Sequence, residues 1–251
     1  MGDGNGGQDP PATDLLGDAT WSEVASGGPL LLAAPVGSCE QHGPHLPLST
    51  DTLLAESLAA ALAAARPGVV VAPSIGIGAS GEHESFPGTL SIGTGALTTV
   101  LVELARSALP AATADRQHQP AFTGVLFVNG HGGNLEATER AVAQLRAESR
   151  RVASWHPRVP GGDLHAGATE TSLMLHLHPQ LVRTPVAGAG PNLSGPELLS
   201  ELERRDLAEV APSGVLGDPG RASAPQGAEL FEQLLTQLLG AATDLVETRA
   251  L

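Results

Sequence analysis

The sequence predicts a single α/β domain, a mostly parallel sheet flanked by helices on both faces. Short apolar runs without polar alternation, such as Leu30–Val36, suit strands buried on both faces. Longer stretches of helical composition separate them, and strands alternating with helices imply parallel pairing. At 251 residues, 41% of them hydrophobic, the chain suits one large core better than two small ones.

Residues 1–18 are polar and rich in Gly and Pro, so they are expected to form a flexible arm ahead of a domain spanning 19–251. The run Leu30–Val36, ending at Gly37, reads as the first strand. From Asp51 to about Ala65, alanine and leucine dominate, which predicts a helix with Asp51 as its N-cap. Arg66-Pro67-Gly68 stops that helix, and Val69–Ala72 reads as a second strand. A Gly-rich loop, roughly 76–93, precedes a helix from about Ala96 to Leu109. Gly124–Val128 reads as a strand, Leu135 to about Ser149 as a helix, and Arg151–Ser154 as a further strand. A helix is expected from Gly167 to Leu177, and an amphipathic one from Ala228 to about Thr248. The Gly/Pro-rich stretches 185–195 and 214–227 read as surface loops or oligomer contacts.

The formal charge of −14, with every one of the 13 basic residues an arginine, argues against nucleic acid and anionic lipid as partners. Aromatic residues make up 2% and tyrosine is absent, so platforms for stacking bases are scarce. A single cysteine excludes an intramolecular disulfide. The opening residues have neither a basic stretch nor an apolar one, and no apolar run approaches the roughly 20 residues that span a bilayer. A cytoplasmic protein without a membrane segment is the expectation.

In sheets of this class the working residues gather at the carboxyl ends of strands. The first strand runs into Glu40 and His42, which on an extended segment project to one side, and Asp51 opens the next helix. The third strand runs into His131, set among glycines. Carboxylate with imidazole is a ligand mixture for zinc, iron or manganese. Any one of these residues alone is more simply a solvated polar side chain, and the weight comes from four at two adjacent strand ends. His176 and His178 read as helix-end residues, and His118 and His156 as loop positions beside prolines. Cys39 reads as a small buried thiol rather than a nucleophile.

The string G-S-C-E-Q-H-G-P-H-L-P-L-S-T-D, Gly37 to Asp51, resembles the signature of the creatininase family, with Cys39 where the family usually has threonine. G-E-H-E-S-F-P-G-T-L-S-I (Gly81–Ile92), N-G-H-G-G-N (Asn129–Asn134) and D-L-H-A-G-A-T-E-T-S (Asp163–Ser172) resemble three further family segments in the same order. The resemblance implies an amidohydrolase with two divalent transition metals (Zn, Fe or Mn) per chain, in a cyclic homo-oligomer such as a hexamer-like ring. It puts Glu40, His42, Asp51 and His131 on metal-ligand positions, with Asp51 as the bridge. Creatininase itself has a tyrosine and a ligating glutamate after the third-motif histidine, where this chain has Gly132 and Gly133. Glu170 is the candidate replacement ligand, and His165 matches the family's proton-transfer histidine. The family places the Gly81–Ile92 loop over the substrate. His83 and Phe86 there, with Gly132, Gly133 and Asn134, are the expected substrate-side residues, and His45 lies behind the ligands. Gly78 to Thr94 is most similar to the branch that acts on a small modified precursor peptide and releases its C-terminal Val-Tyr unit. A formamide deformylase, a cyclic-amide hydrolase and a non-catalytic binding subunit are the alternatives.

Overall fold

The computed structural model describes residues 14–110, 122–191, 195–202 and 204–247. Among the described residues four strands, β1 (Leu30–Val36), β2 (Val69–Val71), β3 (Phe122–Asn129) and β4 (Val152–Trp155), form one sheet in the order β2-β1-β3-β4. Every pairing is parallel. The helices are α1 (Trp21–Ser26), α2 (Thr50–Ala65), α3 (Gly93–Ala108), α4 (Leu135–Ala147), α5 (Ala168–Leu177), α6 (Gly195–Leu202), α7 (Leu207–Val210) and α8 (Ala224–Glu247). No described helix is long and apolar enough to cross a membrane.

The sheet is coated on both faces, and alternate strand residues divide between them. Leu31, Ala33, Leu126 and Val128 pack under α2, α5 and α8, joined by Leu58, Leu62, Leu234 and Leu238. Leu32, Ala34, Val125 and Phe127 pack under α3 and α4, joined by Leu97, Leu101, Ala141 and Leu145. This two-sided burial is why the strands read as unbroken apolar runs. Pro35 sits in a central strand at no cost to the ladder. Its carbonyl accepts the Ile75 N–H (2.9 Å), so its missing N–H faces the side that β2 has already left at Val71.

The chain goes from β1 to one side of the sheet, at β2, then crosses to the other side to form β3. The order therefore reverses between β1 and β3, the place where open α/β sheets bind ligands. The carboxyl ends of both strands carry the candidate ligands.

Two expectations shift. Asp51 is not an N-cap: α2 begins at Thr50 with Ser49 in the cap position, and Asp51 lies in the first turn with its carboxylate turned away to the strand ends. Part of the 1–18 segment is attached, since Asp14 O accepts the Val71 N–H and Leu15 pairs with Val71. Residues 1–13 and His118 lie outside the described residues.

Candidate metal centre

Asp51 organises the centre. Its Oδ1 lies 3.0 Å from His42 Nε2 and its Oδ2 lies 3.0 Å from His131 Nδ1, one oxygen toward each ring. Ser38 Oγ donates to Oδ2 at 2.7 Å. The start of a helix favours an anion, and Gly130 lets that start reach the strands. A Cβ at position 130 would stand 2.3 Å from the Asp51 backbone oxygen.

Glu40 is fully buried, and among the described residues neither of its carboxylate oxygens accepts a hydrogen bond. His131 Nε2 stands 3.1 Å from one oxygen and His83 Nε2 stands 3.3 Å from the other, but no N–H is aligned on either. His131 Nε2 instead lies within hydrogen-bond distance of Ala79 O, at 3.1 Å. A buried carboxylate without donors needs a cation, and this is the observation that fits the residues to a metal. Glu40, Asp51 and His131 bring ligand atoms within 4.8 Å of one another, and His42, His165 and Glu170 do the same. Glu40, His83 and His165 form a third such group. The histidine that holds a metal by one nitrogen usually gives its other N–H to a carbonyl, as His131 does with Ala79.

Electrostatics of the ion-free chain agree with a centre built for positive charge. Burial works against charging His42, but Asp51 outweighs it and lifts the imidazole to about 9. Burial works to raise Asp51 too, yet His42 and His131 hold it well below the carboxylate range. Glu170 is raised to about 7, chiefly by burial. Burial also drives His165 well below its ordinary value, aided by its neighbours His42 and His83.

Glu170 Oε2 lies 4.0 Å from His42 Nε2 and accepts the Ala166 N–H at 2.6 Å. It therefore holds the turn before α5 while facing the centre. His165 precedes α5, as expected, and Ala166 takes a positive φ of 52° to turn the chain. The ring of His165 stands 4.3 Å from that of His42 and 4.5 Å from that of His83, centroid to centroid. His45 lies behind them, its Nε2 2.9 Å from Thr171 Oγ1.

The expected substrate-side residues separate. His83 joins the centre through Glu40 and Gln41. Among the described residues Gly132 faces open space, with no atom beyond its chain neighbours within 4 Å of the point where a Cβ would stand. Gly133 does not: a Cβ there would meet Glu82 Oε1 at 2.3 Å, Ala79 O at 2.4 Å and His131 Nε2 at 2.4 Å. Asn134 is held from within the protein. It is buried, its Oδ1 accepts the Ala79 N–H, and its Nδ2 donates to Gly37 O and Asn129 Oδ1, which leaves little for a ligand. Phe86, half-buried, packs against Leu198, Leu207, Ala211 and Leu216 and anchors the loop there. Cys39 Sγ lies 3.8 Å from Gly88 O and bridges that loop to the first strand end.

Residues 17–242 match the family profile described as creatininase, creatinine amidohydrolase. The chain belongs to the creatininase family. It is 47% identical over 233 residues to the mycofactocin precursor peptide peptidase of Mycobacterium ulcerans (strain Agy99), covering 90% of this chain and 89% of that protein. The protein of the same name from Mycobacterium tuberculosis (strain ATCC 25618 / H37Rv) is 47% identical over 235 residues, with the same coverage. The solved structure described as Creatininase Mn has 26% identity and a TM-score of 0.72, covering 94% of this chain and all of that one. As a creatininase-family member the chain is an amidohydrolase, and the family is metal-dependent.

Two residues of this creatininase-family site are not marked by the sequence. Glu82 reaches His131 Nε2 at 3.3 Å, filling the place that a side chain at 133 would take. Gln41, between two ligands, contacts both His83 and His165. Both lie inside the quoted motifs, which is the available signal. Motif membership does not tell which way a side chain points.

Proposed function

We propose that this chain is a two-metal peptidase that cleaves a small modified precursor peptide, hydrolysing the amide bond that frees its C-terminal Val-Tyr unit. The observation that supports this most is the open space at Gly132 beside His131, where creatininase carries a tyrosine. An extended peptide can pass there. The likeness in sequence agrees, at 47% to proteins named mycofactocin precursor peptide peptidase against 26% to creatininase.

The reading gives one ion to Glu40, Asp51 and His131 and the other to His42, Asp51 and Glu170, with zinc, iron or manganese as the metals. The chemistry such ions supply when bound is Lewis-acid polarisation of the scissile carbonyl and readying of water for attack. The chain's own residues do the rest. Asp51 fixes both histidine ligands, one oxygen toward each. His165 is held neutral by burial, and with Nε2 turned to the Gln41 carbonyl its Nδ1 is the nitrogen left to take up a proton. It then hands that proton to the amine nitrogen of the departing fragment. Incubating the metal-loaded protein with modified precursor should release the C-terminal fragment, seen by mass spectrometry. An intact precursor alongside turnover of a formamide or a cyclic amide would overturn the peptide reading.

The same reading has the chain working in a cytoplasmic, closed homo-oligomer of hexamer-like form. Leu90 is 54% exposed, and Leu48, Ile77 and Ile92 are exposed on or beside the loop that borders the centre. Apolar side chains left exposed beside a site are the kind of surface that a partner copy can cover. Light scattering should give a mass several times the 25.4 kDa of one chain. A monomeric mass would remove this part of the reading.

A further inference from the structure

The amide of Gln41 has two protons to give and three neighbours placed to take them. Its Nε2 lies 3.0 Å from Gly214 O, 2.9 Å from His83 Nδ1 and 3.1 Å from His165 Nε2. The orientation of the amide is fixed at its other end, where Oε1 accepts the Gly43 N–H at 2.9 Å. A flipped amide would set nitrogen against that N–H and oxygen against the Gly214 carbonyl.

His165 Nε2 also lies 2.8 Å from the backbone oxygen of Gln41. A carbonyl only accepts, so Nε2 of His165 carries the proton and donates there. A ring N–H cannot also accept from the amide. The two Gln41 protons therefore go to Gly214 O and to His83 Nδ1. A neutral His83 that accepts at Nδ1 carries its proton at Nε2.

We propose that Gln41 is a positioning residue that sets two histidines to opposite tasks. Both rings carry the proton on Nε2, but they meet Gln41 by different nitrogens and so turn different atoms inward. His83 turns its Nε2–H to the side of Glu40, where Oε1 lies 3.3 Å away off the line of the N–H, and His165 turns a bare Nδ1 toward the same oxygen, 3.8 Å away. One ring offers a donor to an oxygen that gains charge, and the other offers the lone pair that accepts a proton. The Gly/Pro-rich stretch beginning at Gly214 acquires a purpose. Gly214 holds φ at +74°, and a Cβ there would sit within bonding range of the Gln41 amide oxygen, so the turn is shaped to seat that amide. Leu216 continues the same wall, its N–H donating to His165 O at 2.8 Å.

The catalytic consequence rests on the hydrolytic reading above, whereas the proton positions do not, and the experiment separates the two. Zinc-loaded protein labelled with 15N-histidine is read by two-bond nitrogen–proton correlations, with His83→Asn and His165→Asn assigning the signals. Both rings of the unaltered protein should be the Nε2–H tautomer. In Gln41→Leu, His83 should become a mixture of tautomers while His165, held by the backbone carbonyl, stays as it was. The same variant should keep its zinc and lose about 10–100-fold in kcat, the range for residues that orient a metal site from behind, with KM changed less. An Nδ1–H or doubly protonated His83 in the unaltered protein overturns the proposal, even where Gln41→Leu fails to fold. So does a His83 tautomer untouched by Gln41→Leu. Failure to cleave precursor peptide, with the proton pattern as stated, would count against the peptidase reading alone.

Discussion

Glu40 and Glu170 are carboxylates beside the same histidines, and the protein treats them differently. Among the described residues Glu40 receives no hydrogen bond on either oxygen, so its buried charge calls for a cation beside it. Glu170 receives the Ala166 N–H and is raised to about 7 by burial, so near neutral pH it carries a proton much of the time until an ion displaces it. This predicts an asymmetric result at Glu170. Glutamine at that position keeps an oxygen for the Ala166 N–H and loses the charge. Glu170→Gln should therefore fold normally by circular dichroism and retain one ion of two by metal analysis, with activity falling sharply. Retention of both ions would reduce Glu170 to a residue that holds its own turn.

At the scale of elements, the centre depends on how closely the start of α2 approaches the ends of β1 and β3. Gly130→Ala would place a methyl group 2.3 Å from the Asp51 backbone oxygen, and strand and helix would have to part. Overpacking of this kind costs about 1–3 kcal/mol, and here it also moves the carboxylate that both histidines share. We expect a lower melting temperature together with lost metal, measured side by side. An unchanged metal content would show that the close approach is not needed. The same contact explains what is legible in the sequence. Strands buried on both faces and the Ala/Leu periodicity of α2 are local patterns, and they place Glu40, His42, Asp51 and His131 together. The direction of the Asp51 side chain is not local, because Ser38, His42 and His131 claim a carboxylate that composition alone assigns to a cap. The surroundings of Asn134 and Phe86 are hidden from the sequence for the same reason. Their partners, Gly37 and Ala79 for one and the α6–α7 cluster for the other, are distant in sequence. The turn at Gly214 joins Gln41 across 173 positions, and no spacing rule reaches so far.

The whole molecule couples its stability to protons and metal through this buried cluster. In the ion-free chain His42 is raised from about 6.5 in the unfolded state to about 9, because Asp51 outweighs the burial that opposes its charge. A raised imidazole contributes stability that is fully present below about pH 6.5 and is lost as pH climbs through about 9, a contribution on the order of 3 kcal/mol. A metal asks the reverse of the same ring, for a ligating imidazole must be neutral, and His131 is also held well above its ordinary value in the ion-free state. Binding must then release protons, and apparent affinity should rise by at least about tenfold per pH unit between about 6.5 and 8.5. Two curves follow from one cause. The melting temperature of chelator-treated protein should fall from pH 7 toward pH 9, while that of metal-loaded protein holds, so the gain on adding metal widens with pH. Calorimetry at several pH values, with proton release read from buffers of different ionisation enthalpy, measures both. A metal-induced gain that stayed constant from pH 6.5 to 9, with no proton released, would mean that His42 and His131 are not the groups the ions displace protons from, and the assignment of this cluster as the metal centre would fall with it.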